Sequence, residues 1–288
     1  MRRASFPLRT DRLSIDRTDL LVYRCSQETD RSDYQDGKSI AMSNSTGKTA
    51  LITGSTQGIG RDIAGTLAAS GARVLITGRN VERGEKAVAE IRAAGGEADF
   101  LVADLRDAAS AKTLAAEAVA LAGEIDILVN NAGVYILGPT AGVTEADFDA
   151  MYNLNVKVPF FLVAELAPLM AERGHGVIIN ITTAFAEKGA VGPAAYGSSK
   201  AAVNLLTKSW AAEYGISGVR VNTVSLGAIL TEGSTKAFGD AVHDFPNGSP
   251  ADRVGTTAEV AAAVAFLASD EASYIYGANL AVDGGMVI

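Results

Sequence analysis

From Gly47 onward, short runs rich in β-branched residues alternate with longer alanine-rich stretches. Several short runs are apolar throughout, which is typical of strands covered on both faces of a parallel sheet. The longer stretches then predict the crossover helices that parallel strands require. The predicted strands are 49–53, 73–77, 98–102, 125–129, 176–181, 219–223 and 279–282. The predicted helices are 62–69, 83–93, 108–121, 151–172, 194–214 and 258–268. The alternation predicts an α/β fold: a doubly wound parallel β-sheet of about seven strands with helices on both faces.

The first part of the chain lacks this alternation. Residues 1–42 are rich in Arg, Asp and Ser, and we expect a disordered or non-native N-terminal extension, with Met42 as an alternative start. Its acidic residues argue against an organellar transit peptide, and the apolar run at 20–23 is too short for a secretory signal. Even spacing without a linker predicts that residues 43–288 form a single domain. We assign no function to the extension.

Composition excludes several classes of function. The formal net charge is −8 and the sequence pI is about 4.9, so nucleic acid and anionic membranes are not expected partners, since both require a basic surface. The single cysteine, Cys25, and the two histidines, His175 and His243, provide neither a disulfide framework nor a cysteine- or histidine-rich metal site. No apolar run reaches the ~18 residues that span a bilayer. These observations predict a cytoplasmic protein without a metal.

A glycine-rich loop separates the first predicted strand from the first predicted helix. Gly54, Gly58 and Gly60 have the spacing G-x-x-x-G-x-G in the segment 53–60. Glycine lets the backbone turn tightly and approach a pyrophosphate, while the N-terminus of the following helix offers free N–H groups. An ordinary turn would also use glycine. The position between a strand and a helix therefore favours a dinucleotide site over a plain turn.

The end of the second predicted strand bears on which dinucleotide binds. An acidic residue about 20 positions beyond the glycines would bind the ribose 2′-hydroxyl of NAD. Here Gly78 occupies that position and Arg79 follows it. A guanidinium can pair with a 2′-phosphate through two hydrogen bonds, and no carboxylate repels the phosphate. We therefore predict NADP(H), with an ordinary surface arginine as the alternative interpretation of Arg79.

Tyr196 and Lys200 begin a long predicted helix, at positions that share one helix face. A free phenol has a pKa near ~10 and is a poor acid–base group at neutral pH. A neighbouring ammonium favours the phenolate, so we expect Lys200 to lower the pKa of Tyr196 and make it a general acid and base. Taken by itself, such a pair is more often an ordinary surface pair.

Four segments together resemble the short-chain dehydrogenase/reductase family in its single-domain form. Residues 53–60 resemble the cofactor loop, 130–133 the segment closing the fourth strand, 196–200 the Tyr-x-x-x-Lys motif, and 282–285 the C-terminal signature. The resemblance covers about residues 45–288, in the family's order and spacing. It implies a Rossmann-type fold and hydride transfer between nicotinamide and a carbonyl or alcohol carbon.

The resemblance also implies catalytic roles. Tyr196 would exchange a proton with the substrate oxygen, and Lys200 would hold the nicotinamide ribose. The family has a serine thirteen residues before the tyrosine, where this chain has Thr183, so the hydroxyl is kept and a methyl is added. Thr182 is the alternative candidate for the hydroxyl that binds the substrate oxygen. Asn155 resembles the asparagine that anchors a water and a proton relay to the lysine; a structural asparagine inside a helix is the alternative.

The cofactor contacts implied by the resemblance extend over most of the sheet edge. They are Gly54, Ser55, Gln57, Gly58, Ile59, Gly60, Arg79, Asp104, Leu105, Asn131, Ala132, Gly133, Tyr196, Lys200, Gly227, Ile229 and Thr231. One departure concerns Leu226-Gly227, where the family usually has Pro-Gly. Replacing proline frees φ and restores a backbone donor, so we expect a loop that is more mobile or differently placed.

Substrate contacts are expected from loops at the carboxyl ends of strands. Val134, Tyr135, Phe185 and Val191 are the candidates, and their apolar side chains suggest a medium-sized, partly apolar ketone or secondary alcohol. Residues 230–250 contain Gly, Ser, Thr and Phe and are predicted to form a mobile lid. The helices 151–172 and 194–214 have further apolar faces, which either cover the sheet or, as the family resemblance implies, form a homo-oligomer, a tetramer or dimer.

Three functions remain open on the sequence. The first is a general NADP(H)-dependent carbonyl reductase or alcohol dehydrogenase. The second is a 3-oxoacyl-acyl-carrier-protein reductase, which the acidic composition disfavours because the acidic carrier needs a basic docking surface. The third is a non-catalytic NADP-sensing protein. Such sensors tend to lose the tyrosine or the lysine, and both are present here.

Overall fold

The apolar runs form seven parallel strands within the residues that the computed structural model describes, 44–246 and 248–288. The predicted extension, residues 1–42, lies outside the described residues. The strands are β1 (Thr49–Ile52), β2 (Arg73–Gly78), β3 (Glu97–Val102), β4 (Ile127–Asn130), β5 (Gly176–Thr183), β6 (Val219–Leu226) and β7 (Asn279–Val282). Their order across the sheet is β3-β2-β1-β4-β5-β6-β7, and every described pairing is parallel. The predicted α/β fold is confirmed.

Helices cover both faces of the sheet. They are α1 (Gly58–Ala69), α2 (Val81–Ala93), α3 (Ala108–Ala122), α4 (Glu145–Tyr152), α5 (Val158–Arg173), α6 (Ala194–Tyr214), α7 (Glu232–Phe238) and α8 (Thr257–Ala268). Buried side chains of α1, α2 and α8 form one apolar core with the sheet, and those of α3, α5 and α6 form a second core on the opposite face. This arrangement explains why β1, β4, β5 and β6 are buried along their full length.

The predicted helix 151–172 begins earlier and is interrupted. Thr144 caps α4 by accepting a hydrogen bond from the Asp147 amide, so the helix starts at Glu145. A π-helical turn, Asn153–Lys157, then separates α4 from α5, and such turns occur frequently at functional sites. The combined stretch Glu145–Arg173 is long and apolar enough to cross a membrane by length and composition. However, α5 is a core helix, because Leu162, Leu166 and Met170 are buried against the sheet.

The strand order reverses direction at β1, which has β2 on one side and β4 on the other. The chain leaves β1 toward β2 and later returns to β4, so the connecting helices diverge above the carboxyl ends of these two strands. Ligands of open α/β sheets bind in the crevice at such a switch point. The polar segments that follow β1, β4, β5 and β6 all meet at this edge of the sheet.

Candidate active site

The glycine loop after β1 is packed tightly against the end of β4. Gly54 and Gly58 have φ angles of +64° and +56°, which favour glycine. A Cβ on Gly60 would lie 2.5 Å from Asn131 Nδ2 and 2.6 Å from the Gly54 oxygen. The N-cap residue of α1, Gln57, makes no side-chain capping bond, so the first N–H groups of the helix remain available to an anion.

Asn131 holds this loop in shape. Its side-chain amide donates hydrogen bonds to the carbonyl oxygens of Thr53 and Gly54, at 2.8 and 3.0 Å. The Thr53 hydroxyl in turn accepts hydrogen bonds from the amides of Asn131 and Ala132, both at 2.9 Å. The asparagine predicted from the sequence as a cofactor contact therefore also braces the glycine loop.

Ser55 does not face the crevice. The residue is fully buried, and its hydroxyl donates to the Ile52 oxygen and accepts from the Thr77 amide, at 2.7 and 3.0 Å. Both partners lie on strands, β1 and β2, so the side chain joins the two strands beneath the loop. The side chain of Ser55 is thus turned away from the crevice, because a sequence motif gives the position of a residue but not the direction of its side chain. The contact between Ser55 and the cofactor stays a prediction.

We call the crevice above β1, β2 and β4 the outer cleft. It encloses about 820 Å³. The predicted cofactor residues that line it are Gly54, Gln57, Gly58, Ile59, Gly60, Arg79, Asp104, Leu105, Asn131, Ala132, Gly133 and Thr231. Its floor is lined by the glycine loop and lies at the N-terminus of α1, which suits the pyrophosphate of a dinucleotide.

The basic end of the outer cleft lies beside β2. Arg79 is 80% exposed there, and its guanidinium is 3.8 Å from the Asp104 carboxylate. Arg106 lies 3.7 Å from the same carboxylate, and Arg83 hydrogen-bonds Gln57 of the glycine loop. Arg83 and Arg106 also line the cleft but were not predicted. The position of Arg83 in the first turn of α2, just after the strand end, was the available signal.

Thr56 of the glycine loop packs so closely against Gly78 that it leaves no space for a side chain there. A Cβ at this position would lie 2.6 Å from Thr56 Cγ2 and 3.1 Å from Thr56 Oγ1. The carboxylate-bearing side chain that would bind a ribose 2′-hydroxyl has no room there while Thr56 is in place. The outer cleft therefore presents guanidinium groups and no acidic residue at the end of β2.

A second cavity, which we call the inner cavity, encloses about 280 Å³ and continues from the outer cleft. Ile59, Gly133 and Thr231 line both spaces. Tyr196 and Lys200 of α6 both line the inner cavity, together with Thr183 at the end of β5. The helix face predicted from their spacing therefore places the phenol and the amine at one cavity.

Burial dominates the electrostatics of this pair. It lowers the pKa of Lys200 to about 8, and the Lys200 ammonium donates a 2.9 Å hydrogen bond to the Ile181 oxygen. Burial also raises the pKa of Tyr196 to about 12, opposed by interaction with the Thr183 side chain and reinforced by Tyr135. We expected Lys200 to lower the Tyr196 pKa; instead the phenol loses its hydration and stays protonated at neutral pH.

Asn155 ties the π-helical turn to α6 and to the segment after β4. Its amide group donates to the Val134 oxygen at 2.9 Å and to the Ser199 hydroxyl at 3.0 Å, and its oxygen accepts from the Val134 amide at 2.9 Å. The Ser199 hydroxyl donates to the backbone carbonyl oxygen of Tyr196 at 2.7 Å, near the start of α6. A Cβ on Gly133 would lie 3.2 Å from both Asn155 Oδ1 and Lys200 Nζ, so these groups flank Gly133. Ser199 was not predicted as a site residue.

The two threonines at the end of β5 have different surroundings. The Thr183 side chain interacts with the Tyr196 phenol, and its hydroxyl accepts a 3.4 Å hydrogen bond from the Phe185 amide. Thr182 Oγ1 is buried without a hydrogen-bond partner among the described residues. Thr183 is thus the hydroxyl next to the phenol.

The segment after β6 is closely packed and hydrogen-bonded, and the expectation that it is more mobile or differently placed than in the family stays a prediction. Leu226 ends β6 as a regular strand residue paired with Val282, and a Cβ on Gly227 would lie 2.7 Å from Asp283 Cα. Leu230 donates to the Gly255 oxygen at 2.9 Å. Because leucine has the backbone N–H that proline lacks, the strand continues to the end of the sheet.

The predicted mobile lid is partly helical. Thr231 and Ser234 form a capping box that starts α7, and a 3₁₀ helix follows at Gly239–Asp244. Phe238, Phe245 and Met286 line the inner cavity beside the predicted Val134, Tyr135 and Phe185. Val191 is fully exposed and does not line the cavity, so its assignment to the substrate site stays a prediction that the cavity does not support.

A buried polar chain connects α6 to the centre of the sheet. Asn130 donates to the Asn180 oxygen, and the Asn180 amide donates to the Thr207 hydroxyl, both at 2.8 Å. Thr207 and Thr223 share a further 2.8 Å hydrogen bond between their hydroxyls. These residues lie on β4, β5, α6 and β6, so the network fixes the position of α6 and, with it, Tyr196 and Lys200.

Comparison with known proteins agrees with this arrangement. Residues 54–287 match a family model described as enoyl-(acyl carrier protein) reductase. A solved structure described as a short-chain dehydrogenase/reductase family protein is 47% identical, with a TM-score of 0.78 over 84% of this chain and 98% of that chain. The chain belongs to the short-chain dehydrogenase/reductase family.

Members of the family similar to this chain act on alcohols or ketones. D-threitol dehydrogenase of Mycolicibacterium smegmatis is 39% identical over 84% of this chain and 94% of its own length. A 7α-hydroxysteroid dehydrogenase solved with NADH and a 7-oxo bile acid is 36% identical, with a TM-score of 0.81 over 85% of this chain and 96% of that one. Another similar structure, from Beutenbergia cavernae, has bound NADP at low occupancy. These similar proteins are therefore oxidoreductases of the same family, and two of the similar structures contain a nicotinamide cofactor.

Proposed function

We propose that this protein is an NADP(H)-dependent oxidoreductase that interconverts a ketone and a secondary alcohol, with Tyr196 as the general acid and base. The observation that supports this most is the convergence of Tyr196, Thr183 and Lys200 on an inner cavity that continues into the outer cleft. A substrate carbonyl beside the phenol would thus lie next to the end of the cleft nearest Gly133.

A bound nicotinamide dinucleotide supplies or accepts the hydride. The Tyr196 phenol, which is protonated at neutral pH, donates its proton to the carbonyl oxygen as negative charge develops there. The Thr183 hydroxyl donates a second hydrogen bond to the same oxygen and so orients it. Lys200 uses one N–H on Ile181, which leaves further donors for ribose hydroxyls and for the phenolate that forms after proton transfer.

NADP(H) is the proposed cofactor because the end of β2 offers cations and no carboxylate. Arg79 lies beside the place where this fold is expected to bind the 2′-phosphate. Arg83 and Arg106 add positive charge to the same end of the outer cleft. The Asp104 carboxylate lies 3.8 Å from Arg79 and 3.7 Å from Arg106, so it offsets part of their positive charge. Similar structures contain either NADP or NADH, so direct comparison of both cofactors is needed.

The test is a screen of carbonyl compounds with NADPH and NADH, following cofactor oxidation. Reduction of at least one ketone, faster with NADPH than with NADH at equal concentration, is the expected result. Faster reduction of an acyl-carrier-protein thioester than of every free ketone would instead favour the 3-oxoacyl-acyl-carrier-protein reductase. Cofactor binding without turnover of any carbonyl compound would favour the NADP-sensing protein.

A homo-oligomer, a tetramer or dimer, is also proposed. Phe148, Phe160 and Leu205, on α4, α5 and α6, are 42%, 43% and 68% exposed. Large apolar side chains at the surface of neighbouring helices suit contact with a second copy of the chain. The mass in solution, measured by light scattering, tests this, and a mass of one chain at micromolar concentration would contradict it. We also propose a cytoplasmic location, because the chain contains a single cysteine and so has no disulfide framework.

A further inference from the structure

The inner cavity has one polar end, and its opposite wall is apolar. Lys200 is the only charged residue that lines it among the described residues, and that side chain is buried and bonded to Ile181. Two other polar lining residues, Thr231 and Ser234, satisfy each other in the capping box of α7. A ligand in this cavity therefore finds hydrogen-bonding groups beside Tyr196 and few elsewhere.

The apolar wall is built from aromatic rings in a continuous line that starts at the phenol. Tyr135 contacts Tyr196 edge to face, with ring centroids 6.1 Å apart. Phe238 stacks on Tyr135 at 5.8 Å with an interplanar angle of 18°, and Phe245 meets Phe238 at 4.9 Å and 90°. These separations are within the range of favourable aromatic pairs.

The line of rings joins two parts of the chain that are distant in sequence. The Tyr135 hydroxyl donates to the Gly233 oxygen at 3.3 Å, which connects the segment after β4 to α7. On the other side, Lys188 donates to the Met286 oxygen at 2.9 Å, and Met286 lines the same cavity. These two hydrogen bonds hold Tyr135 against α7 and Met286 against Lys188, and they use the Tyr135 hydroxyl, which is one of the polar groups on this side of the cavity.

We infer that the substrate is a neutral ketone that contains a ring, alicyclic or aromatic, or the corresponding secondary alcohol. This rests on the proposed function. A ring packs against the faces and edges of Tyr135, Phe238 and Phe245 while its carbonyl reaches Tyr196. A carboxylate or phosphate on the substrate would lose its hydration without gaining a cation, and a chain of hydroxyls would leave several donors unpaired.

Matched ketones test this class. 4-Methylacetophenone and 4-acetylbenzoate have similar shapes but differ by one negative charge, and 1,3,4-trihydroxybutan-2-one represents open polyhydroxylated chains. With the preferred cofactor, we expect kcat/KM for 4-methylacetophenone to exceed that of both others by about tenfold or more. A dissociation constant is also measured by calorimetry with protein saturated by oxidised cofactor, since a ketone cannot be reduced in that complex.

Two variants test the wall itself. Phe238→Leu should raise the KM for 4-methylacetophenone by about 2- to 10-fold, and should raise it more than the KM for butan-2-one, which has no ring to contact the wall. Phe266→Leu, at a partly exposed ring on α8 outside the cavity, is the control and should change neither. Phe245→Arg should raise kcat/KM for 4-acetylbenzoate relative to 4-methylacetophenone, because it adds the missing cation.

The outcomes separate this inference from the proposed function. Equal or better turnover and binding of 4-acetylbenzoate or of the polyol by the unmodified protein would overturn the ring-ketone inference and leave the oxidoreductase intact. Tight binding of 4-methylacetophenone without reduction of any ketone would support the ring-binding wall and overturn the proposed function.

Discussion

Lys200 Nζ donates a 2.9 Å hydrogen bond to the carbonyl oxygen of Ile181. The amine is on α6 and the oxygen is two residues before Thr183 on β5, so this bond holds the amine next to the strand end that presents the threonine. Only 5% of the surface of Lys200 is exposed. The Lys200 amine thus loses its hydrating water, and one backbone carbonyl oxygen accepts a hydrogen bond in place of that water.

The buried amine should make stability depend on pH. Burial lowers the folded-state pKa of Lys200 to about 8, below its ordinary value of 10.5. Between these values the unfolded chain binds more protons, so the free energy of unfolding should rise with pH, by about 2 kcal/mol from pH 8 to 9.5. Urea unfolding of the unmodified protein and Lys200→Met measures this, and the variant should lose the rise. Lys208→Met, exposed on the same helix, is the control and should keep it. An identical pH dependence in both variants would contradict the account.

Arg79 should determine the preference for NADPH. Arg79→Ala removes the guanidinium expected to pair with the 2′-phosphate, so the dissociation constant of NADPH should increase about tenfold while that of NADH changes little. Fluorescence titration measures both. Arg92→Ala is the control, because Arg92 pairs with Asp99 away from the outer cleft. Equal weakening of both cofactors by Arg79→Ala would mean that Arg79 has no role in discrimination.

Gly78 allows steric and charge effects to be separated. Both Gly78→Ala and Gly78→Asp place a Cβ against Thr56, so each should destabilise the protein by about 1–3 kcal/mol. Gly78→Asp alone adds a carboxylate, so it alone should weaken NADPH relative to NADH. Thermal unfolding and cofactor titration of the pair are the measurements. Tight, unchanged NADPH binding by the aspartate variant would contradict the proposed location of the 2′-phosphate.

Thr207 should stabilise the packing of α6 against the sheet through the chain of buried hydrogen bonds. Thr207→Val keeps the volume but removes the hydroxyl that Asn180 and Thr223 contact, and leaves the buried Asn180 amide without that partner. The free energy of unfolding should fall by about 1–3 kcal/mol. Thr235→Val, at an exposed position of α7, provides the comparison and should have little effect. Equal stability of the two variants would show that the network does not hold the helix.

Much of the fold was predictable because parallel strands buried on both faces have a distinctive apolar pattern. The strand ends were less predictable: β5 and β6 continue to Thr183 and Leu226 because each supplies the other's ladder partners. The Thr231–Ser234 capping pair is a local sequence signal for the start of α7. This pair lies within the segment predicted to be a lid without a helix. The π-helical turn around Asn155 had no signal in the hydrophobic pattern.

The site was predictable where backbone geometry dictates the residue type. Glycines at Gly54 and Gly58 and the one-turn spacing of Tyr196 and Lys200 belong to this group. The raised pKa of Tyr196 could not be predicted from the sequence, because the burial that causes it depends on side chains from several elements. Phe238 and Phe245 lie in the predicted lid segment, 230–250, but the sequence did not indicate which of its side chains reach the inner cavity, and Met286 had no signal at all.

The most direct test of the account is the effect of Tyr196→Phe on ketone reduction. The variant keeps the ring and removes only the hydroxyl that donates the proton, so kcat should fall by about 100-fold or more while the dissociation constant of NADPH stays within about twofold. Tyr274→Phe, at a fully exposed tyrosine, should match the unmodified protein. A Tyr196→Phe enzyme that reduces the same ketone at an undiminished rate would contradict the assignment of Tyr196 as the proton donor.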